Sequence, residues 1–273
     1  HTCRIIPERG SWVEMAVSKR DALHVRLDQS GKFPATMFLR ALSEEYGSTE
    51  AILRLFYPTQ KVKISPRTRK EDIAGRISVG ALVNAETGEV LVESARAIPE
   101  ETVDLLKASN IGEVEVITEV GDPLILNTLH EDPSDSHENA LLRIYRRLRP
   151  GNPAQLEKAR ELFHERFFDP NRYRLGRVGR FRLNRKFDQK VPDEEMTLRP
   201  EDFINALKYI VKLRAGEGEL DDIDHLGNRR IRTIDELCGE EIRKAFFKLK
   251  RAVQEKMNLK EQEELSPRTL VNS

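Results

Sequence analysis

Hydrophobic and polar residues alternate over "SWVEMAV", with Val13, Met15 and Val17 on one face and Trp12, Glu14 and Ala16 on the other. "LHVRLD" repeats the scheme, turning Leu23, Val25 and Leu27 inward and His24, Arg26 and Asp28 outward. Two such runs across Ser18–Ala22 predict a hairpin with one core face, and place a large aromatic among charged groups on the other. From Pro34 to Phe56 the period becomes helical, in "PATMFLRAL" and "TEAILRLF" separated by Gly47. Pro58 and Pro66 then bracket a short strand, "KVKI". A hairpin around Thr87-Gly88, a helix opened by Pro99 and the strand "EVEVIT" complete a small α/β insertion able to fold as a satellite.

Helical spacing resumes in "SHENALLRIYRRLR", with Ala140, Leu141, Ile144, Tyr145 and Leu148 in one stripe closed by a Pro150-Gly151-Asn152-Pro153 turn. Leu156, Ala159, Phe163 and Phe167 form the next stripe. Seven basic residues and no acid follow between Arg172 and Lys186, where Gly176 and Gly179 are expected to break any helix. A further helix is predicted from Pro200 to Gly216. After a charged loop, Thr233 and Glu236 suggest a capping box for a long helix, on which Ile242, Phe246, Leu249, Val253 and Met257 share a face. The fold class is α+β, with short antiparallel strands and helices, a small α/β insertion and a long helix at the end.

The formal net charge is +0, with 34% charged residues among 273. The charges are sorted along the chain. Glu71–Asp135 holds fifteen Asp and Glu against three Lys and Arg, and Ala140–Lys190 fifteen Lys and Arg against five acids. Cys3 and Cys238 are the only cysteines and have no metal-ligand spacing, which suits a reducing, cytoplasmic compartment. No apolar run reaches the ~20 residues of a membrane span, so no membrane partner is expected. The chain begins with His1 and reads as an excerpt of a longer polypeptide.

The densest chemistry is "DDIDHLGNRRIR", where Asp221, Asp222, Asp224 and His225 precede Arg229, Arg230 and Arg232. Carboxylates and a histidine at this spacing could hold a divalent ion for a metal-dependent hydrolase centred on Asp222, Asp224 and His225. Three arginines beside them would compete for the same oxygens. An ion-pair network pinning the loop, with Gly227 supplying a positive-φ turn, is the plainer reading. A free-standing interaction or scaffold module with an acidic insertion is a further alternative.

"RIIPERGSW", "IYRRLRPGNP", "LFHERFFDPNRY", "VGRFRLNRKF" and "GEGELDDIDHLGNRRIR", in this order, resemble the beta subunit of bacterial DNA-directed RNA polymerase from end to end of the chain. The resemblance implies a lobe domain in two parts, 1–57 and 131–232, around an insertion at 58–130 that differs between lineages, with the protrusion domain starting at 233–273. It implies a role in DNA-templated RNA synthesis as part of a nucleotidyltransferase, walling the DNA cleft. Partners would be the non-template strand, downstream duplex, the alpha, beta-prime and omega subunits and a sigma factor. No catalytic residue, metal site or cofactor is expected within 1–273, catalytic Mg²⁺ being held by another subunit.

On this resemblance Trp12 stacks on an unpaired base and Asp224 accepts from the edge of a flipped guanine. Arg229 is the basic partner of that pocket, and Asp28 a second acid near the indole. The chemistry suits these residues, since an indole face serves any base and a carboxylate matches two adjacent N–H donors. The family often carries basic residues directly after the position of Asp28. Here the run is Gln29-Ser30-Gly31-Lys32, so weaker attraction for a phosphate backbone is expected at that corner. The basic Arg172–Lys186 stretch is assigned either to phosphates or to neighbouring subunits. His24, His130, His137 and His164 are read as surface residues.

Overall fold

The computed structural model describes residues 1–65, 68–84, 87–109, 111–259 and 266–271. Pro66, read above as the far bracket of a strand, lies outside them. The chain divides into two compact units, His1–Glu219 and Leu220–Ser273.

The first unit opens with a four-stranded antiparallel sheet in the order β1-β2-β3-β4: β1 (Thr2–Ile5), β2 (Val13–Val17), β3 (Leu23–Leu27) and β4 (Phe33–Pro34). Val13 faces Leu27 and Val17 faces Leu23, the register that the two alternating runs require. Val13, Met15, Leu23, Val25 and Leu27 are buried, so the predicted inward face is the core face. The hairpin closes where Ser18 N donates to Ala22 O at 2.8 Å. Helices α1 (Ala35–Leu42) and α2 (Thr49–Phe56) follow, and Ser48 caps α2 by accepting from Ala51 N.

The insertion comprises β5 (Thr59–Lys63), β6 (Leu82–Val83), β7 (Val90–Val92), α3 (Glu100–Ala108) and β8 (Glu113–Ile117). β5 pairs with β8 and β6 with β7, each antiparallel. Ala85 and Glu86 of the β6–β7 turn lie outside the described residues. Ile73, Leu82, Val92, Ile98, Val103, Leu106, Val114 and Val116 form a separate apolar cluster here. Val79, Ala95 and Ile117 belong instead to the main core, so the two clusters share a wall. Arg40, buried on α1, ties the flanks of the insertion together. Its guanidinium donates to Thr49 Oγ1 at 2.8 Å and Asp132 Oδ2 at 3.4 Å.

At the end of the 58–130 segment α4 (Leu124–Glu131) packs into the main core, followed by α5 (His137–Leu148), α6 (Leu156–Phe167), α7 (Arg177–Phe187) and α8 (Pro200–Arg214). The core centres on Phe38, whose ring meets those of Phe163, Phe167 and Phe203 at 5.7, 5.7 and 5.0 Å. Edge-on aromatic packing of this kind adds about 0.5–1.5 kcal/mol per pair to burial.

The helix α7 corrects the expectation of a broken segment. Gly176, at φ +82, stands just before the helix, while Gly179 lies inside it. A Cβ at Gly179 would come within 2.8 Å of Leu175 Cγ, so the glycine serves a close approach rather than a break. Arg180, one of the seven cations, is fully buried and its Nη1 donates to both oxygens of Asp202 at 3.0 Å. That residue is unavailable to a phosphate. The histidines also divide: His130 and His164 are exposed, whereas His24 and His137 are half-buried, and His137 Nδ1 lies 2.6 Å from Arg40 O.

In the second unit, a loop holding one 3-10 turn (Leu226–Asn228) leads to α9 (Ile234–Leu259) and a short α10 (Pro267–Leu270). α9 has no buried residue; Ile242, Phe246 and Met257 are exposed, with Leu249 and Val253 half-buried on the same face.

Candidate nucleic-acid interface

Trp12 stands at the open end of the β2–β3 ladder, one residue before the first paired position. Its backbone and that of Asp28 complete the hairpin: Asp28 N donates to Trp12 O at 2.9 Å. Trp12 N in turn donates to Asp28 Oδ1 at 2.7 Å. Asp28 adopts a left-handed backbone, φ +50, a conformation that aspartate tolerates better than most residues and one that turns its carboxylate back onto Trp12. Trp12 is 53% exposed. A large, exposed aromatic residue on a fixed backbone results.

The loop leading to Trp12 is pinned from the far side of the sequence. Arg9 N donates to Arg174 O at 3.0 Å and Arg174 N to Arg9 O at 2.7 Å, a two-way bridge between the "PERG" and "NRYR" stretches. Gly10 has φ +126, and a Cβ there would lie 2.6 Å from the Tyr173 ring. Only glycine fits. Burial raises the Tyr173 hydroxyl pKa, consistent with a ring used as backing rather than as a titrating group.

Both oxygens of Asp28 are turned toward protein partners: Oδ1 accepts from Trp12, and Oδ2 faces Arg166 of α6 at 3.8 Å. Asp28 therefore braces the platform. Burial holds the Arg166 guanidinium below the usual arginine range, Asp28 opposes the shift, and Arg149 adds to it. The turn after Asp28 is held by two further arginines. Arg26 Nε donates to Ser30 O at 3.2 Å, and Arg147 Nη1, from α5, donates to Lys32 O.

The acidic loop belongs to the second unit, and its first half is turned by bonds from Asp222. Asp222 Oδ1 accepts from Asp224 N at 3.0 Å and His225 N at 3.2 Å, and Asn228 Nδ2 donates to Asp222 O at 2.7 Å. This turn uses Asp222 as a local cap and aims Asp224 outward, its side chain 89% exposed. Arg229 Nη1 lies 4.0 Å from Asp224 Oδ1. The expected ion-pair network is realised in part: Arg230 reaches Glu236 at 2.6 Å, and Arg232 meets Glu240, both acids on α9. Gly227 does not have the expected positive φ; it donates to His225 Nδ1 at 3.0 Å within the 3-10 turn. Among the described residues no three His, Cys, Asp or Glu side chains gather as metal ligands would.

The structure thus pairs Trp12 with Asp28 in the first unit and Asp224 with Arg229 in the second. Arg147, Arg166 and the Gly10–Tyr173 contact were not singled out from the sequence. Only "YRRLR" and "ERFF" carried a signal for the two arginines, and helical stripes do not say which polar residue meets a distant turn.

A family described as RNA polymerase Rpb2, domain 2, matches residues 97–232. A protein of Rhodopirellula baltica named DNA-directed RNA polymerase subunit beta is 51% identical over 277 residues, covering 99% of this chain and 22% of that protein. Proteins of the same name from Protochlamydia amoebophila and Leptospira biflexa are 37% and 34% identical, covering 95% and 99% of this chain and 21% and 23% of theirs. The chain spans about a fifth of the length of these relatives. Aligned with them almost from end to end, it belongs to the family of DNA-directed RNA polymerase beta subunits.

Proposed function

We propose that this chain is a portion of a polymerase beta subunit that contributes to transcription by contacting the non-template DNA strand near the start site. On this reading the parent assembly transfers nucleotidyl groups with Mg²⁺ held by another subunit, and this portion supplies recognition. It works alongside alpha, beta-prime and omega subunits and a sigma factor, in the cytoplasm. Residues 1–57 and 131–232 form the lobe, 58–130 its insertion, and 233–273 the start of the protrusion.

The observation that carries the reading is the exposed Trp12, its backbone held by reciprocal hydrogen bonds with Asp28 at the end of a packed sheet. Trp12 offers a stacking face to an unpaired base, worth about 1–3 kcal/mol. Asp224, projecting from a self-capped turn with Arg229 beside it, offers two acceptor oxygens to the adjacent N–H donors of a guanine edge. The cation offsets the repulsion a carboxylate meets beside a polyanion. Asp222 Oδ1, which accepts from the backbone N–H groups of Asp224 and His225, disfavours the hydrolase alternative.

The test places Asp224→Ala in the full-length subunit and measures promoter-complex lifetime on templates whose non-template guanine is replaced by each other base. Loss of lifetime on the guanine template alone is expected. Equal loss on all four templates would refute reading of that edge.

A further inference from the structure

We propose that Arg147 and Arg166 form a phosphate-binding corner beside Trp12, holding the backbone of the strand whose base lies on the indole. The inference rests on the stacking role proposed above for Trp12 and adds the residues that grip the same nucleotide's charge.

Read from the sequence, this corner is poor in cations, because Gln29-Ser30-Gly31-Lys32 follows Asp28. The fold supplies what the local sequence lacks. Arg147, near the end of α5, lies against the turn: its Nη1 donates to Lys32 O, and a Cβ on Gly31 would be 3.5 Å from that nitrogen. Arg166, on α6, faces Asp28 Oδ2 at 3.8 Å, a charge contact too long to be a hydrogen bond. Arg149 is close enough to be felt by Arg166 as a like charge. Of these, Arg166 faces the one carboxylate of the turn, Asp28, while the exposed Arg147 is held by a backbone carbonyl.

Two guanidinium groups thus reach a turn that carries one carboxylate. A guanidinium carries five donors in a planar fork that matches phosphate oxygens two at a time. Arg147 is exposed and gives Nη1 to a neutral carbonyl, which holds the guanidinium at the turn. Arg166 faces the acid that also accepts from the Trp12 backbone, so one carboxylate adjoins both the cation and the residue that carries the indole. A base laid on that indole brings its own phosphate to the same turn.

The test uses Arg147→Met and Arg166→Leu, alone and together, in the full-length subunit assembled into its polymerase, with promoter-complex lifetime measured against KCl concentration. Each lost phosphate contact on a single strand is expected to lower the steepness of the log–log salt dependence by about 0.7. The change should be the same whatever base faces Trp12. Arg166→Lys, which retains the charge, should restore most of the slope and guards against a variant that merely misfolds. An unchanged slope in the double variant, with lifetimes shortened equally at every salt concentration or not at all, would overturn the corner. Trp12→Ala on intact and abasic non-template strands is run in parallel. If its effect is the same with and without the base while the slopes still fall, the stacking role fails and the corner stands; the opposite pattern removes the corner alone.

Discussion

Two Arg–Asp pairs in this molecule have the same chemistry and opposite fates. Arg180 and Asp202, between α7 and α8, are fully buried, joined by two 3.0 Å hydrogen bonds. Arg180 also donates to the carbonyls of Glu195 and Thr197, and Asp202 Oδ2 accepts from Arg199 N at 2.8 Å at the start of α8. Arg229 and Asp224 stand 4.0 Å apart in the charged loop with side chains 66% and 89% exposed. Burial separates the roles. A buried pair with every oxygen used is committed to architecture, while an exposed pair with loose geometry adds little to folding and keeps its donors and acceptors for another molecule.

The comparison breaks most visibly at the buried pair. Asp202→Ala leaves a guanidinium without its counter-charge in the core and is expected to cost about 3–5 kcal/mol in urea unfolding followed by circular dichroism. Replacing both partners, Arg180→Met with Asp202→Leu, should recover most of that loss. A single variant that unfolds like the parent would show the pair is not buried in solution.

A smaller effect is expected where the platform is pinned. Gly10→Ala forces a side chain into a positive-φ site against the Tyr173 ring and should cost about 1–3 kcal/mol, seen as a lower midpoint in the same unfolding curve.

Smaller again is the tie between α2 and the insertion. The Arg54 hydrogen bond holds the Glu115 carboxyl below its ordinary range against the effect of desolvation. A carboxylate with a lowered folded pKa contributes stability above its unfolded pKa, and that contribution disappears as pH falls through the folded value. With Arg54 half-exposed, solvent screening limits it to about 1 kcal/mol or less. The difference between parent and Glu115→Gln should be present at neutral pH and shrink as the pH is taken down through the carboxylate range. A difference that grows on acidification would contradict the sign.

Asp224→Ala sits at the far end of the series, and the unfolding midpoint should not move.

The sequence made the alternating strands and apolar helical stripes legible because each is a local, periodic signal. Val13, Met15, Leu23 and Val25, and likewise Ala140, Leu141 and Ile144, are buried as the periodicity requires. The errors came where a distant partner decides the outcome. Gly179 looks like a break until Leu175 is seen pressed against it, and Arg180 looks like a surface cation until Asp202 reaches it from α8. The same limit hid Arg166, whose role depends on a turn that β3 delivers. Trp12 and Asp28 were placed together by the family resemblance, and the hairpin register supplies the physical reason they lie side by side.

The central claim is tested most directly by a cycle between the indole and a missing base. Promoter-complex lifetimes are measured for the parent polymerase and Trp12→Ala, each on intact non-template strand and on strands with one abasic position through the start region. At the stacked position, removing the base should abolish the effect of Trp12→Ala, a coupling of about 1–3 kcal/mol or roughly 5- to 150-fold in lifetime. If Trp12→Ala shortens lifetime equally on intact and abasic strands at every position, Trp12 does not stack on a base.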